Sequence, residues 1–409
     1  MSALNLTTFA AALKTLYSPK RIENLTYQTN PFLAMVPKNE SFFGDSLKQP
    51  LVYGNVKGRS VDFSTAQSNK AASNYAAFTV TRVKDYALAS IDNETLEASK
   101  SDKGAFMRAA QAEIDSAFRA LGRSIASALY RSGSGAVGRA ASYSTVTVTL
   151  SSPGDITNFE VGMKVVKNTS ANGDGGTLQS GTSTITAIDR DQGTITASVD
   201  WATTHGAAAA GDYLYIQGDA QNASSTRTKI AGLQAWIPTS APSSTAFFGV
   251  DRSVDTTRLG GVRYDGSALT IEEALVNGVS RVATEGGKTD YIFMNPLDVR
   301  NLVNALGTKV MYTQHKVGDI GFEGIKVACD TGPVTVMSDL NCPQGYAFLL
   351  QMDTWELASL GKAPRLLDSD GNRFLREASA DAIEVRCGFY GNLICNAPGF
   401  NAVVTLPST

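Results

Sequence analysis

Residues 133–138 match G-x-G-x-x-G, the spacing of a dinucleotide-binding loop. In that loop a strand precedes the glycines and a helix follows them, so that the helix N-terminus meets the pyrophosphate. Here a helical pattern comes before the glycines and a strand-like pattern after them. We therefore interpret the motif as a flexible exit from a helix, and we predict no cofactor.

Two further segments invite a chemical interpretation. Residues 368–372 have the acidic spacing of a calcium loop, but glycine stands at the fourth place rather than the sixth and no glutamate stands at the twelfth, so a hairpin turn is expected. His315 lies in a polar, glycine-flanked segment, 309–318, which is predicted to be a loop. No Cys, Ser or acidic motif accompanies this histidine, and it is predicted to be a contact residue rather than a general base.

Metal sites are not predicted either. The chain has only two histidines, His205 and His315, and they lie in different segments. Its four cysteines all lie in the last fifth of the sequence, and none forms a C-x-x-C pair. Reduced and mostly buried thiols, as in a cytoplasmic protein, are the expectation. No catalytic constellation is found, and a non-enzymatic protein is predicted.

Composition narrows the class of protein. With 409 residues and 43% hydrophobic residues, the chain is expected to form two or more domains with real cores. Its formal net charge is -2 and no Lys/Arg cluster stands out, so no surface is predicted to grip nucleic acid phosphates. No run of eighteen apolar residues suggests a membrane helix, and the first residues lack the pattern of a secretory signal.

The elements themselves are more informative than the motifs. Residues 51–56 form one extended run and residues 78–83, which alternate apolar and polar side chains, form a returning one. The stretch between them is too poor in large apolar groups to fold on itself. Because a two-stranded hairpin is marginal alone in water, we expect this hairpin to lie along another subunit.

A long helix is predicted next, capped at Ser101-Asp102, with apolar residues at steps of three and four up to a Gly/Ser exit at 132–135. Residues 143–218 show the texture of a small inserted all-β domain. Mixed α and β patterns follow, with a capping box at 270–273 and an Asn295-Pro296 helix start. Two long terminal strands, 382–389 and 393–406, complete the prediction.

This order of parts resembles the major capsid proteins of tailed bacteriophages, which share the Hong Kong 97-type shell fold. Residues 30–33 (NPFL) and Phe43-Gly44 resemble the N-terminal arm, residues 51–90 the E-loop, and residues 102–130 the spine helix. Residues 291–307, with FMNP at 293–296, resemble the strand and helix of the axial domain. About four-fifths of the chain, everything outside the β insertion, fits this resemblance.

The resemblance implies an α+β shell protein with the following division: arm 1–44, E-loop hairpin 45–92, peripheral domain with spine helix 93–140, inserted β domain 141–220, peripheral-to-axial region 221–365 and a return to the peripheral domain 366–409. It implies subunit contacts by the E-loop and by residues near the capsomer axis. The candidates are Lys57, Arg59, Lys70 and Arg82 for the E-loop, and Met311, Tyr312 and His315 for the axis.

The implied partners are copies of the chain itself in pentamers and hexamers, a portal, a separate scaffolding protein and a decoration protein. The shell would enclose double-stranded DNA without sequence-specific binding, in a virion assembled in the bacterial cytoplasm. With about forty residues before the E-loop, a long cleaved scaffold segment is not expected, and no cross-linking reaction is assigned to Lys57 or Lys70.

Three alternatives remain open at this point. An encapsulin, a cellular nanocompartment with the same fold, would need an enzyme cargo. An enzyme is disfavoured by the two histidines and the missing motifs. A β-rich adhesin or tail protein would explain residues 143–218 but not the mixed α/β half.

Overall fold

Two open β-sheets, a closed β-barrel, an extended hairpin and one long helix form the fold, which confirms the predicted α+β class. The computed structural model describes residues 30–92, 103–169, 178–206, 208–220, 227–307, 311–317, 320–367, 375–376 and 380–407, and for residues 103–110, 311–317 and 320–323 it describes the backbone alone. Within these ranges, no helix combines the length and hydropathy that a membrane crossing requires.

Seven helices and twenty-one strands are described. The helices are α1 (Pro31–Met35), α2 (Phe63–Ser68), α3 (Lys103–Tyr130), α4 (Trp201–His205), α5 (Leu233–Trp236), α6 (Ile271–Thr284) and α7 (Pro296–Leu306). The strands of the first half are β1 (Lys38–Asn39), β2 (Ser46–Gly54), β3 (Asn74–Thr81), β4 (Val83–Asp92), β5 (Ala136–Ser144), β6 (Thr147–Leu150), β7 (Lys164–Asn168), β8 (Ser183–Asp189), β9 (Thr194–Ala197) and β10 (Tyr213–Ile216). Those of the second half are β11 (Val262–Asp265), β12 (Tyr291–Met294), β13 (Met311–Val317), β14 (Ile320–Cys329), β15 (Gly332–Ser338), β16 (Tyr346–Leu350), β17 (Trp355–Ser359), β18 (Arg365–Leu366), β19 (Leu375–Arg376), β20 (Ala382–Cys395) and β21 (Ala402–Thr405).

The predicted hairpin is present as the antiparallel pair β2–β3, with Ser46 opposite Thr81 at the base and Gly54 opposite Asn74 near the tip. The short helix α2 at the tip was not predicted. It buries none of its residues, so it is held by local capping: the Asp62 carboxylate accepts from the Thr65 amide at 2.8 Å. Hydrogen bonds from Ser64 and Thr65 lower the pKa of Asp62 to about 2.

The strand after the hairpin, β4, belongs to a different sheet. β4 pairs with β20 along its whole length, from Val83 opposite Gly391 to Asp92 opposite Ala382. The two-stranded hairpin thus ends at Thr81, whereas the predicted division assigned residues up to 92 to the E-loop. The remaining neighbours of β20 complete a six-stranded sheet with the order β1-β17-β20-β18, on which β4 and β19 also pair with β20.

The spine helix, α3, has 28 residues and a length of about 42 Å. The apolar positions that predicted it face the core, with Ile114, Phe118, Leu121, Ile125 and Leu129 all buried. The side chain of Met107, which belongs to the same apolar series, and the cap predicted at 101–102 lie outside what the structure describes. The helix packs against β4 and β20, so the spine helix and the six-stranded sheet share one core.

The inserted domain is a closed barrel with the strand order β10-β5-β6-β9-β8-β7. It has its own apolar core, which includes Val148, Phe159 and Trp201. The barrel begins with β5 at Ala136, inside the segment interpreted as a flexible helix exit, so that interpretation was wrong for residues 136–138. Residues 191–193 lie in the turn between β8 and β9.

A seven-stranded sheet, β11-β21-β16-β12-β15-β14-β13, carries helices α6 and α7. The capping box is confirmed: the Thr270 hydroxyl accepts from the Glu273 amide, and the Glu273 carboxylate accepts from the Thr270 amide. Asn295 caps α7, in which Pro296 holds the first position. The prediction of a loop around His315 was wrong, because residues 311–317 form strand β13, which pairs with β14. A β-hairpin is stabilised by its backbone pairing, which a polar sequence does not reveal.

The chain ends differently from the prediction. Residues 382–395 form one strand, β20, instead of a strand that stops at 389. Gly391 lets β20 continue because a side chain there would collide with the Ala358 carbonyl of β17. The last strand, β21, is only Ala402–Thr405, and it lies between β11 and β16 in the seven-stranded sheet. The hairpin predicted at 368–372 lies outside the described residues.

Candidate assembly surfaces

The tip of the β2–β3 hairpin is the most exposed apolar part of the described chain. Phe63 is 81% exposed, Val56 is 69% exposed, and Val61 is fully exposed. Large apolar groups on a monomer surface are individually ordinary, but a cluster on one projecting element marks an interaction site. The hairpin tip, defined here as residues 55–73, therefore presents apolar side chains away from the core of its own subunit.

The predicted E-loop cations divide into two groups. Lys57, Arg59 and Lys70 are exposed at the hairpin tip. Lys57 reaches only the Asn74 side chain, at 3.4 Å between Nζ and Oδ1. Arg82 instead serves its own subunit: its Nη1 donates to the Phe42 carbonyl at 3.1 Å, and its guanidinium lies over the Phe42 ring. The first three residues are thus free to reach a neighbour, and Arg82 fixes the hairpin base to the arm.

The base of the hairpin is fixed to the subunit by an aromatic cluster. The buried Phe78 ring meets the Trp236 ring at 5.1 Å and the Phe247 ring at 6.1 Å, both edge to face. At the other end of β2, close to the tip, Arg258 donates a hydrogen bond from Nη1 to the Tyr53 carbonyl at 2.8 Å. Because edge-to-face pairs add to the apolar burial, the hairpin leaves the subunit from a rigid root.

A buried arginine supports this root. The Arg252 guanidinium lies 3.9 Å from the centroid of the Phe247 ring, and its Nη1 donates to the Ala235 and Trp236 carbonyls at 2.8 and 3.0 Å. Burial, and then the nearby cations Arg227 and Arg263, lower the pKa of Arg252 to about 9. No local sequence pattern predicts this role, because the two carbonyl partners lie 17 and 16 residues before Arg252.

The arm is anchored where it meets the spine helix and the axial region. The Asp339 carboxylate accepts from the Phe32 amide at 3.2 Å, from the Tyr130 hydroxyl at 3.0 Å, and from the backbone and side chain of Asn341 at 2.9 and 3.0 Å. Burial raises the pKa of Asp339, although these hydrogen bonds oppose the shift. One side chain thus ties together three elements that are far apart in sequence.

A second buried junction ties the barrel to the peripheral domain. Lys229 Nζ lies 2.8 Å from Asp85 on β4 and 3.0 Å from Asp219 at the barrel exit. Ser124 of the spine helix donates its hydroxyl to Asp85 at 2.6 Å. Burial alone would lower the pKa of Lys229, but the two carboxylates raise it overall. These contacts fix the end of the barrel to β4 and to the spine helix.

The axial candidates Met311, Tyr312 and His315 lie on β13, the last strand of the seven-stranded sheet. Their partner β14 places His315 opposite Phe322. The structure thus brings these three residues to one sheet edge, and it does not bring them near Lys57, Arg59 or Lys70 on the hairpin. Their contacts with other subunits stay a prediction.

His205, Cys387 and Cys395, which were considered above as possible metal ligands, are buried in the described structure. Within the described ranges, no set of three His, Cys, Asp or Glu residues could hold a metal ion. His205 is buried in the barrel, where its ring stacks on Trp201 and its Nε2 lies 3.0 Å from the Ser183 hydroxyl. Burial, and then Lys167, lower the pKa of His205. Burial raises the pKa of both Cys387 and Cys395 to about 12, so these thiols stay protonated at neutral pH.

The G-x-G-x-x-G segment is explained by packing. Gly133 and Gly135 both have positive φ angles, and a side chain at Gly135 would collide with the Asp219 carbonyl. A helix precedes the segment and β5 follows it, which is the order opposite to a dinucleotide site. Because they have no side chains, these glycines allow the chain segment that enters the barrel to pack closely against the segment that leaves it.

Comparisons with known proteins agree with this architecture. Residues 209–373 match the family model described as SU10 major capsid protein, whereas the sequence matches no curated protein. The fold is similar to that in the capsid asymmetric unit of cyanophage A-1(L), with 13% identity, 97% of this chain and 99% of that chain covered, and a TM-score of 0.52. A structure from Mycobacterium phage Ogopogo also matches, with 12% identity, 92% of each chain covered and a TM-score of 0.43. So does an encapsulin complex from Synechococcus elongatus, with 9% identity, 99% of this chain and 96% of that chain covered, and a TM-score of 0.44.

The family match covers residues 209–373, and the similarity in fold extends over nearly all of the chain. The resemblance expected from the sequence is therefore confirmed: this chain has the Hong Kong 97-type shell fold of the major capsid proteins of tailed bacteriophages.

Proposed function

We propose that the chain forms the shell of a tailed-phage head by assembling into pentamers and hexamers that enclose double-stranded DNA. The observation that carries this proposal is the hairpin: its root is buried in its own subunit through Phe78, while its tip presents Val56 and Phe63 to the surroundings. A projecting apolar element on a rigid root is suited to cover a neighbouring subunit. Many such contacts, repeated by symmetry, would close a shell without covalent bonds.

In this proposal Lys57, Arg59 and Lys70 contact the neighbouring subunit through the hairpin tip. Met311, Tyr312 and His315, at the edge of the seven-stranded sheet, lie near the capsomer axis. The chain acts as a structural protein of the virion rather than as an enzyme, and it assembles in the host cytoplasm. Its partners are a separate scaffolding protein, the portal and a decoration protein, and it holds DNA without sequence-specific contacts.

The sharpest test removes the hairpin tip and keeps its root. Because Gly54 pairs with Asn74, residues 55–73 can be replaced by Asn-Gly, which suits a two-residue turn between antiparallel strands. We expect a folded subunit with unchanged far-ultraviolet circular dichroism that forms no closed shells by negative-stain electron microscopy. Closed shells of normal size from this variant would contradict the role of the tip.

A substitution separates the loss of apolar contacts from the loss of length. The double variant Val61→Ser with Phe63→Ser removes the two most exposed apolar side chains of the hairpin tip and leaves the capping of α2 in place. Gln67→Ala, which removes an exposed polar side chain of the same helix, is the matched control. We expect the double variant to raise the protein concentration needed for assembly, and the control to assemble as the wild type does.

A further inference from the structure

A cluster of polar side chains lies inside the inserted barrel, where helix α4 packs against the strands. Its members are Tyr143 on β5, Lys167 on β7, Ser183 on β8, His205 at the end of α4 and Asp212 directly before β10. Lys167, Ser183 and His205 are each 1% exposed, and Asp212 is 4% exposed. We propose that this cluster is an acid-sensitive switch, in which a proton on His205 releases α4 and opens this part of the barrel.

The contacts of His205 suit a neutral ring. The ring stacks on Trp201, with 5.6 Å between the ring centroids, and its Nε2 lies 3.0 Å from the Ser183 hydroxyl. A hydroxyl can donate to a neutral imidazole nitrogen, so this hydrogen bond needs no charge on the ring. The one carboxylate of the cluster, that of Asp212, already pairs with Lys167 at 2.7 Å. A charged His205 would therefore have to compete with Lys167 for the same carboxylate.

The charge balance of the cluster makes this proton costly. Lys167 and Asp212 neutralise each other, so the cluster has no net charge while His205 is neutral. A proton on His205 adds a second cation in a place that water does not reach, and a buried charge without its own partner is strongly unfavourable. Burial, and then Lys167, lower the pKa of His205, whereas a hydrogen bond with the Ser180 backbone and the charge of Asp212 oppose the shift. Burial, and then Asp212, raise the pKa of Tyr143, so its hydroxyl stays neutral.

Helix α4 is the element that His205 holds in place. The helix has only five residues, of which Trp201 and His205 are the buried ones, and a helix of this length is not stable without packing. The Trp201 indole donates to the Val146 carbonyl at 2.9 Å. The chain before β8 lies against the last turn, since Gly181 has a positive φ and a side chain there would collide with the Thr204 carbonyl. Release of His205 would therefore loosen both α4 and this segment.

The direction of the pH effect follows from linkage. The pKa of His205 is lower in the closed barrel than its ordinary value of about 6.5, so the open form binds this proton more readily. The stability of the closed form is fully present above about pH 6.5 and is lost as the pH falls from there toward the folded pKa. Burial raises the pKa of Asp219, Asp298 and Asp339, so these groups stabilise the fold on acidification and cannot imitate the effect. The inference concerns the barrel alone and does not depend on shell assembly.

Hydrogen exchange of the full chain, read by mass spectrometry at pH 7.5 and at pH 5.5, tests the switch. Each observed rate is divided by the intrinsic exchange rate at the same pH, which gives a protection factor. We expect the protection of residues 201–206 to fall by about three- to tenfold at pH 5.5, where tenfold is the limit for one group with an ordinary pKa of about 6.5. Helix α6, outside the barrel, is the internal control and should lose no protection. An unchanged protection of residues 201–206, or an equal loss in α6, would overturn the proposal.

Two variants assign the effect to one side chain, because the chain has only two histidines. In His205→Gln, the protection of residues 201–206 should be the same at both pH values, whatever its absolute size. His315→Gln is the matched control and should keep the full pH effect. The same loss of protection in His205→Gln as in the wild type would contradict the switch.

A second measurement leaves the barrel intact. In His315→Gln, His205 is the one remaining histidine, so its ring can be followed by nuclear magnetic resonance without assignment. We expect its resonance to titrate with a midpoint below pH 6.5. A midpoint at or above pH 6.5 would overturn the proposal, since the closed barrel would then bind the proton at least as well as the open form does.

Discussion

The substitution Asp339→Ala tests the anchor that joins the arm, the spine helix and the axial region. It removes the acceptor for the Phe32 amide and the Tyr130 hydroxyl, both of which are buried. Asn341 can rotate and recover part of its bonding, so two buried donors are left without an acceptor. At about 1–2 kcal/mol for each such donor, the lower half of the usual range, we expect a loss of about 2–4 kcal/mol.

Hydrogen exchange read by mass spectrometry locates this loss. The peptide that contains residues 30–36 should exchange about 30- to 1,000-fold faster, since each 1.4 kcal/mol corresponds to a factor of ten. The matched control is Asp353→Ala, which removes an exposed carboxylate and should leave the exchange of this peptide unchanged. If Asp339→Ala changed the exchange of residues 30–36 by less than threefold, the reasoning about the anchor would be refuted.

Three further predictions follow from other contacts. Phe78→Ala should cost about 3–5 kcal/mol in the free energy of unfolding, measured by urea titration, because it opens a cavity beside Trp236, while Tyr75→Ala on the exposed side of the same strand should cost less than about 0.5 kcal/mol. Replacement of residues 136–227 by a short Gly/Ser linker should leave a chain that folds cooperatively, because the barrel has its own core. The two ends to be joined already lie together, since the Lys229 amide donates to the Gly133 carbonyl. A product without fixed tertiary structure by near-ultraviolet circular dichroism would show that the barrel is needed for folding. Burial raises the pKa of Asp298 above its value in the unfolded chain, so the carboxyl group loses its proton at a lower pH in the unfolded state than in the folded state. The free energy of unfolding therefore falls as the pH rises through the folded pKa. We expect the unfolding midpoint of the wild type, relative to that of Asp298→Asn, to be higher at pH 5 than at pH 8, and the opposite trend would contradict the assignment.

Local signals explain which parts of the fold could be predicted. The capping box at Thr270, the Asn295-Pro296 helix start and the apolar stripe of the spine helix depend on residues within a few positions of one another, and the structure confirms all three. The order of these elements was enough to indicate the shell fold. The alternation of polar and apolar residues likewise predicted the returning strand of the hairpin.

Long-range contacts explain what was missed. β5 begins in a glycine-rich segment that has no strand signal of its own, and it is a strand because β6 and β10 lie on either side of it. β20 continues past Gly391 because β17 needs the close approach. Asp339 and Lys229 hold the elements together across more than a hundred residues of sequence, and no local pattern distinguishes them from surface charges.

Cryo-electron microscopy of the purified full chain, alone and with the candidate scaffold from the neighbouring gene, tests the central claim most directly. We predict closed icosahedral shells of pentamers and hexamers in which the hairpin of each subunit lies across an adjacent subunit, with Phe63 in contact with it. A chain that stays monomeric in all these conditions, or shells in which the hairpin touches only its own subunit, would contradict the account.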